Sequence, residues 1–215
     1  MSSIDTLVTN AKLYAAQFTA GGLPAPPATG VAVVACMDAR LDVHSLLGLA
    51  DGDAHVIRNA GGVITDDVIR SLTISQRLLR TTEVMLIHHT GCGMMSFTDD
   101  EVKAQIEADT GLRPPFSLEA FAELDGNIRQ SIARIKASPY LPHRDAVRGF
   151  SYDVAEGTLR EVTAPLELPP TPTGARTAQA VAATGPPSQR RTDSSGIRND
   201  LPMRTESSRP ACTSR

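Results

Sequence analysis

Cys36-Met-Asp-Ala-Arg40 and His89-Thr-Gly-Cys92 are the segments of this 215-residue chain whose side chains could do chemistry. Together they offer two thiolates, one imidazole, and a carboxylate beside an arginine. Two cysteines and one histidine suit Zn²⁺, a borderline-soft ion that takes sulfur and nitrogen ligands. Three protein ligands, Cys36, His89 and Cys92, would leave the fourth tetrahedral position free. That is the pattern of a catalytic site, because a structural site is usually closed by four protein ligands. Asp38 is the one further group near enough in sequence to contest the open position. Either segment alone occurs by chance, so the argument depends on bringing them together.

Strand ends supply that link. Val31-Ala-Val-Val-Ala35 is a short apolar, β-branched run that stops at Cys36, and Glu83-Val-Met-Leu-Ile-His88 is a second that stops at His89. Both have the character of buried strands in a parallel sheet, each followed by a helical pattern, so βαβ units are expected. In open α/β sheets ligands bind beyond the carboxyl ends of the strands, where the strand order reverses. If the two strands are neighbours there, Cys36, His89 and Cys92 converge.

Each candidate also has a plainer explanation. Cys36 and Cys92 could be buried small hydrophobes, or a redox disulfide that leaves His89 unused. The H-x-x-C spacing favours His89 over His88, which is expected to pack at the strand end. His44, His55 and His143 have no partners at ligand spacing and are expected to be ordinary core or surface histidines. Asp38 and Arg40 could be a surface ion pair of little energetic weight. Beside a metal the pair matters more, because Arg40 can hold the carboxylate away and leave room for water. Gly61-Gly62 lacks the P-loop and dinucleotide-binding patterns. Close backbone approach to the metal pocket is expected there instead, and Arg58 is a weaker candidate for a pocket or dimer contact.

Further along the chain, residues 3 to 19 form an amphipathic pattern, with Ile4, Leu7, Val8, Ala11, Tyr14, Ala15 and Phe18 near one face. A short helix is expected over 41 to 49 and a strand over 54 to 58. Thr65 is expected to cap a helix to about Arg80. Thr98-Asp-Asp-Glu101 is a capping-box pattern for a helix ending near Gly111, and Ser117 is expected to cap a longer helix to about Ala137. Residues 146 to 154 and 158 to 162 are expected to form a strand and a returning edge strand. The fold class is therefore α/β: a mostly parallel four-stranded sheet flanked by helices, with an antiparallel edge strand.

Domain 1–163 carries all of this. From Pro165 onward the composition changes. Residues 164–215 hold seven Arg, no Lys and four Asp plus Glu, with no apolar periodicity, so a disordered C-terminal tail is expected. A basic interaction arm is the sharper alternative, and out-of-frame sequence another; Cys212 in it has no ligand neighbours. The net charge of −3 provides no nucleic-acid footprint. No run of about 18 apolar residues suggests a membrane span. The early Asp5 and missing apolar stretch argue against a secretory signal. Three cysteines are too few for a disulfide framework, which fits a cytoplasmic protein.

The C-x-D-x-R segment, Arg58-Asn-Ala-Gly-Gly62 and the H-x-x-C segment, in this order, resemble the β-class carbonic anhydrase family over about residues 3 to 163. The resemblance implies zinc-dependent reversible hydration of carbon dioxide to bicarbonate and a proton. It implies an Asp38–Arg40 dyad in which Asp38 accepts a hydrogen bond from zinc-bound hydroxide. It also implies a homodimer or higher homo-oligomer, with the N-terminal helix packed on a second subunit. Two rivals concern the site itself: a zinc hydrolase of a CO₂-like molecule (CS₂ or COS), and a non-catalytic zinc-stabilised interaction module. A structural site has no need of the dyad, which argues against the second.

Overall fold

The computed structural model of the chain describes residues 2–163. The tail expected to be disordered, with its basic-arm alternative, lies outside the described residues. Five strands form one sheet in the order β2-β1-β3-β4-β5. They are β1 (Val31–Cys36), β2 (Ala54–Asn59), β3 (Glu83–His89), β4 (Val147–Tyr152) and β5 (Leu159–Glu161). The first four pair in parallel, and β5 runs antiparallel to β4 at the edge. This is the expected α/β fold. Ala32 to Ala35 of β1 are almost fully buried, as a central strand covered on both faces must be.

Among the described residues five α-helices accompany the sheet: α1 (Ser3–Ala15), α2 (Val43–Leu47), α3 (Asp66–Leu79), α4 (Asp99–Thr110) and α5 (Leu124–Ala137). Thr65 caps α3 through the Val68 N–H, with Asp66 and Asp67 in the first turn, where carboxylates oppose the positive end of the helix dipole. Thr98 and Glu101 close the expected capping box of α4, and Gly111 ends it in the left-handed region. On one side of the sheet Val68 and Leu72 of α3 join Ile128, Ile132 and Ile135 of α5 in the core with Ala32, Val34 and Leu86.

One expectation is corrected. The last helix begins at Leu124, not near Ser117. The Leu118 and Ala120 N–H groups donate to the Asp99 carboxylate at 2.7 and 3.0 Å, and Glu119 takes a positive φ of 63°. A helix cannot start through backbone held in that way, so the cap falls to Glu123, whose carboxylate accepts from the Asp125 and Gly126 N–H groups.

Helix α1 carries the expected apolar face, yet none of its residues is buried. Ile4 and Leu7 are 70% and 65% exposed.

Candidate metal centre

Strand β1 stands between β2 and β3, so the chain leaves it in both directions and the order reverses at the β1–β3 seam. Cys36 ends β1 and His89 ends β3, at the same rim of the sheet. The turn after β3 returns Cys92 to that rim. The Cys36 and Cys92 Sγ atoms lie 3.9 Å apart, and the ligand atoms of Cys36, His89 and Cys92 all fall within 4.8 Å of one another. Sulfurs held at about 2.3 Å from one tetrahedral zinc would sit about 3.8 Å apart. All three residues are buried.

The His89 ring fits the same purpose. Its Nδ1 donates to the Thr90 carbonyl at 2.9 Å, which leaves Nε2 as the lone-pair nitrogen. That Nε2 is buried and has no hydrogen-bond partner. Metal-ligating histidines are commonly oriented through a backbone carbonyl in this manner. An orphaned buried acceptor between two sulfurs is costly unless a cation takes it up. The donor set therefore fits a zinc ion.

The two thiols differ. Burial pushes the Cys36 thiol up, but the polar groups around it, His89 first and then the Asp38 and Gly61 main chain, outweigh that and bring the value down to about 7. Burial, then the neighbouring Cys36, pushes Cys92 up to about 11 against one N–H donor from Met94. Two thiolates side by side repel, and a divalent cation between them reverses that penalty.

Asp38 sits beside the three. Arg40 grips its carboxylate with Nε on Oδ1 at 2.9 Å and Nη2 on Oδ2 at 2.7 Å, and the Arg40 N–H also donates to Oδ1. The side-chain hydrogen bonds from Arg40 hold the carboxyl well below the ordinary aspartate range. Arg40 Nη2 also reaches the Gly91 carbonyl at 3.2 Å, tying the dyad to the loop that carries Cys92. Asp38 Oδ2 lies 3.6 Å from His89 Nε2. The pair is thus no isolated surface ion pair.

His88 packs at the strand end as expected. It is fully buried, its Nε2 meets Asn127 Oδ1 at 2.8 Å, and burial lowers it to about 4. His55 bonds Ser75 Oγ at 2.7 Å and pairs in register with Ala32, four residues before Cys36 along β1. Gly62 shows the close backbone approach expected of Gly61-Gly62. With φ at +70°, its Cα faces the Cys36 nitrogen so tightly that a methyl there would lie 2.8 Å from it. Two supports stand around the site. Arg58, named in the sequence only as a weaker pocket or dimer candidate, donates to the Cys36 and Asp38 carbonyls, and Asp99, which sequence reasoning missed, anchors the 117–120 turn ahead of Phe121. The strand register Ala35↔Arg58 carries the first of these, and register is not written in either strand alone.

Comparison with known proteins agrees with this geometry. A family described as "Carbonic anhydrase" matches residues 31–113. The chain is 53% identical over 163 residues to Beta-carbonic anhydrase 1 of Mycobacterium tuberculosis, spanning 76% of this chain and 99% of that protein. It is 37% identical over 149 residues to a carbon disulfide hydrolase of Acidithiobacillus thiooxidans, spanning 60% of this chain and 74% of that protein. Among solved structures, a carbonic anhydrase from Streptococcus mutans superposes with a TM-score of 0.72 at 42% identity, covering 76% of this chain and 99% of that one. About three quarters of the chain is thus matched by nearly the whole of a relative sharing half the aligned residues, and the chain belongs to the β-carbonic anhydrase family.

Proposed function

We propose that the chain is a zinc lyase that reversibly hydrates carbon dioxide to bicarbonate and a proton. The observation that carries this is the convergence of Cys36, His89 and Cys92 on one buried point beside an arginine-held Asp38. Cys36 Sγ, His89 Nε2 and Cys92 Sγ would hold the zinc. When bound, the ion supplies a Lewis acid that lets water ionise near neutral pH, an effect for which carbonic anhydrase is itself the standard example. The two thiolates offset its charge, and the Thr90 carbonyl fixes the His89 ring.

Asp38 does the orienting. Arg40 occupies both of its oxygens, so the carboxylate stays ionised and held in one orientation, with Oδ2 3.6 Å from His89 Nε2. From there Asp38 Oδ2 accepts the remaining hydrogen of the attacking hydroxide and turns the oxygen lone pair toward the carbon of CO₂. The new C–O bond gives bicarbonate, and each turnover releases one proton. Three protein donors rather than four among the described residues would leave a place for substrate, which argues against a purely structural zinc module.

The same reading extends to the partner and the compartment. A 13-residue helix with an unburied apolar face is marginal alone, and a second copy of the chain supplies the surface α1 lacks. A reducing, cytoplasmic compartment suits two thiolate ligands. The rival substrate class is CS₂ or COS, since a more distant relative bears the name carbon disulfide hydrolase. Stopped-flow CO₂ hydration and CS₂ hydrolysis, measured on one zinc-loaded preparation, separate them. CO₂ turnover should dominate, and hydration no faster than buffer would overturn the proposal.

A further inference from the structure

Arg58 belongs to β2, is exposed, and stands beside the end of β1. Its two contacts go to main-chain carbonyls. Nε donates to the Cys36 carbonyl at 3.0 Å and Nη2 to the Asp38 carbonyl at 2.7 Å. These carbonyls flank Met37, whose own N–H donates to the Asn59 carbonyl at 2.8 Å. The first ladder partner of the segment ends at Ala35↔Ile87, so beyond it β3 no longer pairs with the chain that carries the dyad. The Asp38 carbonyl also accepts the Leu41 N–H at 3.1 Å, which closes the turn.

We propose that Arg58 is a positioning residue, clamping the backbone on both sides of Met37 and so setting the Asp38 carboxylate relative to the Cys36 sulfur. The planar guanidinium presents donors in a fixed fork. Bridging two carbonyls two residues apart, it leaves the Met37 backbone little freedom to rotate. Two arginines then divide one task. Arg40 fixes the Asp38 side chain, and Arg58 fixes the main chain on which that side chain and Cys36 are mounted. A lysine cannot replace the fork, because it offers a single point of charge on a flexible stem. This assignment rests on the metal and dyad roles proposed above.

The test compares Arg58→Ala, Arg58→Lys, Arg40→Ala and the Arg58→Ala/Arg40→Ala double variant with the parent. The Co²⁺-substituted proteins give absorption spectra that report the cysteine-sulfur geometry without turnover. A clamp predicts a changed spectrum in Arg58→Ala, hydration lowered about 10- to 100-fold, and no full rescue by lysine. Arg40 holds the Asp38 side chain and Arg58 the main chain that bears it, so the double variant should lose less than the product of the single losses. A parent-like spectrum with parent-like hydration overturns the clamp. So do losses that multiply in the double variant. If Arg58→Ala loses activity only by dissociating the oligomer on sizing, with its spectrum unchanged, Arg58 is an interface residue and the clamp is overturned. If Arg58→Ala fails to fold by circular dichroism, Arg58→Lys carries the same two measurements. An inactive parent refutes the hydration reading, whereas an unchanged spectrum in the Arg58 variants refutes the clamp alone.

Discussion

Gly62→Ala should damage both the fold and the metal centre, and its cost follows from backbone geometry. At φ +70° the new residue sits in the left-handed region, which costs an L-residue about 1–2 kcal/mol. The added methyl would lie 2.8 Å from the Cys36 nitrogen, 3.0 Å from the Ala35 carbonyl carbon and 3.1 Å from the Ile87 oxygen. These are main-chain atoms of two central strands, so no flexible side chain can swing aside. Overpacking of this sort costs about 1–3 kcal/mol more. A total of about 2–5 kcal/mol lowers the melting temperature of a domain this size by roughly 4–20 °C. Gly111→Ala is the control, because Gly111 also has a positive φ, +75°, but nothing within 4 Å of the added methyl. Thermal melting of both variants, with zinc content measured on the same samples, isolates the close approach. Gly62→Ala should melt lower than Gly111→Ala and hold less zinc, since relief of the clash must shift Cys36. Equal melting of the two variants with full metal in both would refute the reasoning.

Other outcomes follow from the same structure. Alanine at Cys36, His89 or Cys92 should remove most bound zinc, as judged by metal analysis, and full zinc in Cys36→Ala would sink that ligand assignment. Arg40→Ala should keep its metal while CO₂ hydration falls about 10- to 100-fold, because the ligands remain and only the hold on Asp38 is lost. Parent-like hydration near neutral pH would contradict the role given to the dyad. Asp99→Ala should cost about 1–3 kcal/mol near neutral pH through the lost hold on the 117–120 turn. The Ala120 N–H, followed by Leu118 and Ser117, lowers the Asp99 carboxyl from its ordinary value against a smaller opposing effect of burial. Its contribution is therefore complete above about pH 4 and lost as pH falls through the lower folded-state value. Urea midpoints of parent and variant should converge in acid, and a gap that stays constant down to pH 2 would count against the ionic account.

The site was legible in the sequence because a parallel sheet places strand ends at one rim. Val31–Cys36 and Glu83–His89 announce themselves as buried strands by β-branched apolar content, and both terminate on a candidate ligand. Helix starts at Thr65 and Thr98 were legible because caps are local, needing one oxygen and an N–H three residues on. The start of α5 was not. Ser117 has the chemistry of a cap, but its hydroxyl and the next N–H groups are bound to Asp99, 18 or more residues earlier. The bonding of Arg58 to the Cys36 and Asp38 carbonyls was hidden for the same reason, since it depends on which strands become neighbours. Local chemistry writes caps, turns and strand ends into short segments, whereas hydrogen bonds across the sheet exist only after the topology does.

That distinction also bears on which molecule the site takes. CO₂, COS and CS₂ are linear, with an electrophilic carbon between two heavier atoms, so a nucleophile delivered beside Asp38 would attack any of them. The roles proposed for the ligand set and the dyad therefore do not by themselves choose among the three. The surroundings of the ligands are apolar. Cys36 and Cys92 lie in one core cluster with Ile87 and Met94, with Phe97, Phe121 and Tyr152 packed against it. Met94 and Phe121 both close over Gly61, each 3.1 Å from where a methyl there would sit. Phe121 is placed by its N–H on the Met94 carbonyl and by the turn that Asp99 anchors. The element that sequence reading assigned to a helix is thus the one that sets an apolar wall beside the ligands. The contacts between the 117–121 segment and the loop after Cys92 thus form the apolar side of the cluster, while its three candidate ligands stand at or just beyond the strand ends.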